Sequence, residues 1–196
     1  MQPIPAIGIV LTAVLSAAPS SPSEPVADVR LTDAAGKPWS LHRPAAKAVV
    51  LFFVWPDCPA SNAYAPEMKR LAESFGEKGV AVSGVHCDPD LTAAQALRHA
   101  EEHGLPFPMV LDPGQKLAAA VGADRVPAAA VLSSAGRVLY VGRIDDRYVS
   151  LGRRRPEPTR RDLAEAVAEV LAGRSPGVAR TEAVGCRLPK LPPAGK

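Results

Sequence analysis

The sequence predicts an α/β fold, a mixed central β-sheet flanked by helices, with a β-hairpin extension at its N-terminal side. Three observations predict it. The run Ala48 to Trp55 (Ala-Val-Val-Leu-Phe-Phe-Val-Trp) is continuously apolar, β-branched and aromatic. Its length and composition suit a central strand buried on both faces. Strand-like and helix-like segments alternate after it, which calls for a parallel sheet core covered by helices. Late in the chain, Ala128 to Leu132 and Val138 to Val141 are joined by Ser-Ser-Ala-Gly. That is a hairpin signal, and its antiparallel strands make the sheet mixed.

The remaining elements follow in order. Ile7 to Ala18 is an apolar run without charge, followed by small residues and a Pro/Ser stretch. This is the pattern of a secretory signal peptide, and the run is shorter than the ~20 apolar residues that a membrane span needs. The organisation expected is a signal peptide over 1–20, a linker over 21–25, one domain over 26–173 and an extended tail over 174–196. The mature chain is then periplasmic or secreted and not an integral membrane protein. Val26 to Leu41 predicts a hairpin: Val29 and Leu31 alternate, Asp33 to Gly36 turn, and Trp39 and Leu41 alternate again. From Pro59 a helix carries Tyr64, Met68, Leu71 and Phe75 at helical spacing, and Pro66 inside it predicts a kink. Val80 to His86 is a second buried strand. Thr92 caps a helix whose face carries Ala93, Leu97 and Ala100, and Gly104 ends it. Pro106 to Asp112 is extended, and Gln115 to Val121 a short helix. Asp145 to Pro158 is a polar, Arg-rich loop. Thr159 and Asp162 have capping-box spacing ahead of a helix with Leu163, Ala166, Val167, Val170 and Leu171 on one face. The tail has no helical period.

The chain has 196 residues, 47% of them hydrophobic, enough for one domain with a core. A net charge of +3 without an aromatic-interleaved basic stripe gives no case for nucleic acid. Arg153, Arg154, Arg155, Arg160 and Arg161 cluster around two prolines and read as a solvated loop, with a docking patch for an acidic partner as the alternative. The three cysteines are Cys58, Cys87 and Cys186. An odd count in an exported chain leaves one thiol unpaired or bonded to another molecule.

Cys58 carries the chemistry. It stands where the central strand ends and the first helix begins. A helix N-terminus offers free N–H groups and partial positive charge, which stabilise a thiolate, and the thiolate is the reactive form. The carboxyl ends of strands in an open sheet are also where ligands bind.

Phe53 to Ser61 (Phe-Val-Trp-Pro-Asp-Cys-Pro-Ala-Ser) resembles the strand-to-helix active-site loop of thioredoxin-like redoxins. Gly122 to Ala128 resembles their cis-proline loop, and Ala135 to Asp145 the hairpin that follows it. From about Val26 to Gly173 the chain is similar to the alkyl hydroperoxide reductase/thiol-specific antioxidant (AhpC/TSA) and thioredoxin-like superfamily. The resemblance implies a thioredoxin fold and a redox-active Cys58. It implies a cis Val126-Pro127 bond whose backbone faces that cysteine and pairs with an extended substrate segment, with Pro59 and Ser61 beside it. The partners implied are thiols and disulfides of proteins or small molecules, and peroxides. No cofactor is implied.

The departures from the family pattern define the questions. Ser61 stands where thioredoxins have their second cysteine, so an oxidised Cys58 is resolved by Cys186, by Cys87, by another protein or by a small thiol. Trp55 stands where peroxiredoxins have a threonine. Asp57 precedes Cys58, and its carboxylate would raise the thiol pKa if the side chains met. Cys186 on a tail can reach another thiol, as in peroxiredoxins with a C-terminal resolving cysteine. Cys87, in His86-Cys87-Asp88-Pro89, reads as a small residue at a strand end, a resolving thiol, or with His86 part of a soft metal site. His99 to His103 matches a zinc-protease pattern, but a solvated helix face explains it. Three readings stand: a thiol-disulfide oxidoreductase, a thiol peroxidase of the antioxidant class, and a metal-carrying or partner-docking module using Cys58, Cys87 and His86.

Overall fold

The computed structural model describes residues 24–191. The expected signal peptide over 1–20, most of the linker and the end of the tail lie outside them. The described chain opens with the expected hairpin: β1 (Arg30–Thr32) runs antiparallel to β2 (Pro38–Ser40), Leu31 facing Trp39. The indole N–H of Trp39 donates to Ser83 Oγ at 3.0 Å, which pins the hairpin to the sheet. An isolated bridge from Asp33 to Val110 lays the turn along the sheet's edge.

The central strand, β3 (Ala48–Val54), is buried at every residue. Two short helices follow where one was expected, α1 (Pro59–Ala63) and α2 (Ala65–Gly76), with the break at Tyr64. Pro66 is the cause, because it lacks an N–H and its ring crowds the carbonyl four residues back. Next come β4 (Val80–His86), α3 (Ala93–Glu102), β5 (Met109–Leu111) and α4 (Lys116–Val121). Then follow β6 (Arg125–Val126), β7 (Ala128–Ser133) and β8 (Val138–Gly142). The chain continues through β9 (Tyr148–Ser150), β10 (Arg153–Arg154), α5 (Asp162–Leu171) and β11 (Cys186–Arg187).

The main sheet has five strands in the order β5-β4-β3-β7-β8. β3, β4 and β5 are parallel, while β7 and β8 add antiparallel. Alternation along β3 divides the core. Val50, Phe52 and Val54 pack with Met68, Leu71 and Phe75 of α2 and with Leu163, Ala166 and Val167 of α5. Val49, Leu51 and Phe53 pack on the other face with Trp39, Leu41 and Leu117 of α4. Cys58 and Cys87 belong to this second cluster.

Three expectations are corrected. The Asp145–Pro158 loop contains the β9–β10 hairpin. Arg155 pairs with Asp146, Arg160 with Asp162 and Glu165, and Arg161 with Glu67, while Arg160 and Arg161 stay exposed as expected. Thr159 does not cap α5; Asp146 recruits it instead, accepting from its backbone N–H at 2.7 Å and from its hydroxyl. Asp162 meets Arg143 at 2.7 Å. On α3, Ala93 and Ala100 pack against the core as expected, but Leu97 is 45% exposed and Ala96 is the fully buried residue of the face.

Leu163 is fully buried between α5 and the sheet. Leu163→Ala is expected to cost about 3 kcal/mol, read as a lower urea midpoint at unchanged slope.

Candidate active site

The turn after β3 is fixed by its own polar groups. Cys58 is the N-cap of α1, and its N–H donates to Trp55 O at 3.1 Å. Ser61 Oγ accepts from Trp55 N–H at 3.2 Å. Ser61 is buried, and its hydroxyl holds the loop. Asn62 Nδ2 donates to Pro56 O at 2.7 Å. With its amide N–H₂ so used, Asn62 offers its oxygen to His99 Nε2 at 2.9 Å, which makes that nitrogen the donor. Trp55 Nε1 donates to the Asp88 carboxylate at 2.9 Å. Asp57 is exposed and makes no hydrogen bond to Cys58. Pro59 is exposed beside it, at the first position of α1.

Cys58 itself is wholly buried. Its thiol lies 3.4 Å from the carbonyl oxygen of Val126 and 2.6 Å from Cys186 Sγ. The Val126-Pro127 bond is cis. Cys186 comes from the tail, which folds back over this end of the sheet. β11 pairs antiparallel with β6, Cys186 opposite Val126 and Arg187 opposite Arg125. The tail is also fastened on both sides of that pair. Upstream, Val141 N–H donates to Ala179 O at 3.0 Å and Thr181 N–H to Val141 O at 3.1 Å. Thr181 Oγ1 accepts from Arg143 N–H at 3.0 Å and meets Tyr140 Oη at 2.7 Å. Downstream, Leu188 N–H donates to Asp124 O at 3.1 Å, and Gln115 Nε2 to Pro189 O at 2.7 Å. Burial and the adjoining Cys58 thiol push the Cys186 pKa up to about 11.

Cys87 is placed differently. Its thiol is buried against Asp112, 4.0 Å from the carboxylate, and burial with that neighbouring charge raises its pKa strongly. Of the two candidate partners, the structure therefore brings Cys186 to Cys58 and leaves Cys87 facing Asp112. Among the described residues, no group of three or more His, Cys, Asp or Glu is arranged to hold a metal ion.

His99 is not on a solvated face. It is buried, with ring centroids 5.2 Å from His86 and 4.8 Å from His103. Neither His86 ring nitrogen has a hydrogen-bond partner among the described residues. Burial, then the adjacent histidine, lowers both His86 and His99 to about 4.

Residues 22–141 match the family model described as the AhpC/TSA family. The chain belongs to the AhpC/TSA family. The tail that brings Cys186 to the site lies beyond the matched residues. The chain is 30% identical over 112 residues to a thiol-disulfide oxidoreductase ResA of Halalkalibacterium halodurans, covering 57% of this chain and 62% of that relative. Among solved structures, an uncharacterized conserved protein of Geobacillus kaustophilus matches with a TM-score of 0.75 at 24% identity, over 89% of this chain and 94% of that one. A putative thiol:disulfide interchange protein DsbE of Chlorobium tepidum matches with a TM-score of 0.53 at 20% identity, over 62% and 84%. These likenesses establish the thioredoxin-like fold.

Reading the sequence missed Asn62, Thr181, Gln115 and Gly185. Only Gly185 carried a signal, a glycine directly before a cysteine.

The two histidines give a pH dependence. Unfolded, each would titrate near 6.5; folded, each titrates near 4. Below 6.5 the unfolded chain binds more protons, so stability is full above about 6.5 and falls as pH drops toward about 4. Urea unfolding across that range should show the fall, and His99→Gln should reduce its slope.

Proposed function

We propose that this chain is an exported thiol-disulfide oxidoreductase in which Cys58 is the nucleophile and Cys186 the resolving thiol. The observation that carries the reading is the contact of the two sulfurs, 2.6 Å apart, across paired strands. The Cys58 thiolate attacks one sulfur of a client disulfide. A Cys58–client bond forms, the client S–S bond breaks, and the electron pair leaves on the client's second sulfur, which takes up a proton. Cys186, once deprotonated, then attacks Cys58 Sγ. The Cys58–Cys186 disulfide forms and the first client sulfur leaves as a thiolate and is protonated. Two electrons have passed to the client, and the reverse sequence oxidises it. The backbone of Val126 and Pro127, next to Cys58, suits an extended client, with Pro59 at the rim.

Export is supported by the apolar run Ile7 to Ala18 with its Pro/Ser follow-on, and a periplasmic or secreted setting is one where disulfides form and persist. The relative named thiol-disulfide oxidoreductase supports the reaction class. Trp55 in place of the peroxide-orienting threonine leaves the peroxidase reading without its usual hydroxyl.

Insulin reduction tests the proposal. Cys58→Ser is expected to fall to the uncatalysed rate, and Cys87→Ser to keep wild-type activity. Cys186→Ser is expected to accumulate a Cys58–client mixed disulfide, detectable by mass under non-reducing conditions. Undiminished activity in Cys58→Ser overturns the reading. A second prediction concerns the oxidised wild-type protein: peptide mapping should recover residues 58 and 186 in one disulfide, with Cys87 free.

A further inference from the structure

Taking the β6 edge as the place where the family pairs with an extended client, we infer that the tail occupies that edge as a built-in competitor and that the edge selects clients in which glycine directly precedes the reactive cysteine. The inference rests on Cys58 being the exchanging thiol and names the partner of that same site.

The first ground is pairing. Among the described residues, β6 has one strand partner, β11. That partner contributes only backbone bonds and one cysteine pointed at Cys58. Backbone hydrogen bonds do not distinguish the chain's own strand from another, which is the basis of peptide recognition by strand addition. The pair spans only two residues, so a longer client strand can displace it. Tail and client therefore compete for one edge.

The second ground is space. Gly185 is buried, and a Cβ built on it would overlap the Val126 carbonyl oxygen and approach Pro127 Cδ to 2.9 Å. These are backbone and ring atoms, with no flexible side chain to move aside. A peptide in the tail's register therefore needs glycine at the position before its cysteine. The following position is tolerant, since Arg187 is exposed. The next is apolar, since Leu188 packs on the second core cluster.

The third ground is tethering. The Ala179–Thr181 anchor on β8 is independent of the β6 pairing. When β11 lifts off, Cys186 stays close at high effective concentration. Its return restores the β6 pairing and sets Cys186 on Cys58, so resolution of the mixed disulfide and ejection of the client are one event.

The test uses the full chain. In Cys186→Ser the tail keeps Gly185 and its backbone pairing, so Cys58 should be alkylated slowly by iodoacetamide. Adding Gly185→Ala should speed that alkylation at least about tenfold, mapped to Cys58 by mass, with the urea midpoint unchanged. An unchanged rate overturns the proposal. In the double variant, two peptides are then compared, Ala-Val-Gly-Cys-Arg-Leu and Ala-Val-Ala-Cys-Arg-Leu, each as the mixed disulfide with thionitrobenzoate. Cys58 attacks the peptide sulfur, and thionitrobenzoate leaves with the bonding pair and is read by its colour. The glycine peptide should react at least about tenfold faster. Equal rates overturn the selectivity and leave the exchange reaction standing. Reaction with neither peptide, while Cys58 is still alkylated, overturns the exchange reading itself.

Discussion

The backbone of Val126 meets three groups at once. Its strand pairing holds Cys186, its carbonyl oxygen receives the Cys58 thiol, and the same carbonyl fills the space above Gly185. The cis bond to Pro127 turns the chain here from β6 into β7, which lies against β3. One peptide unit thus ties the tail, the reactive cysteine and the sheet together. Displacing it would disturb all three, whereas most single side chains around it could change without moving the others.

The sheet supplies the rigidity that this requires. β3 is buried on both faces and ends at Val54, with Cys58 a short turn beyond. That turn does not rely on a capping side chain; α1 has none. It relies on Ser61 and Asn62, whose side chains return to Trp55 and Pro56. Asn62 is steadied in turn by His99 from α3. The histidine stack therefore has a mechanical role, bracing the loop from the neighbouring helix. Its cost is two imidazoles kept neutral in an apolar setting, which is where acid sensitivity enters the fold.

Much of this was legible in the sequence because it rests on long patterns. The apolar run of β3, the Pro66 break and the hairpin of β7 and β8 are each specified by several neighbouring residues. Cys58 at the strand-to-helix turn followed from its place among those elements, and the Val126-Pro127 loop from the family resemblance. What was not legible depends on distant partners. Thr159 and Asp162 have the spacing of a cap, but Asp146 and Arg143 compete for them and win through buried, charge-assisted bonds. His99 looked solvated because its partners, His86 and Asn62, lie on other elements. β11 has two residues, too few for any periodicity, and only the position of Val126 makes it a strand.

Gln115 gives the tail a direction. It is a non-glycine residue in the left-handed region, with φ of 52°, a conformation few such residues adopt. From there its amide reaches both Cys87 O, at 3.1 Å, and Pro189 O, at 2.7 Å. On the tail's far side this side chain acts beside one backbone bond from Leu188 and the packing of the Leu188 side chain on the second core cluster. The near side is knitted into β8 by backbone bonds and by Thr181, with Arg180 reaching Gly122 O as well. The two attachments are unequal, so in the competition proposed above the tail would unzip from its C-terminal side. Cys186 would then travel on an arm hinged at Thr181.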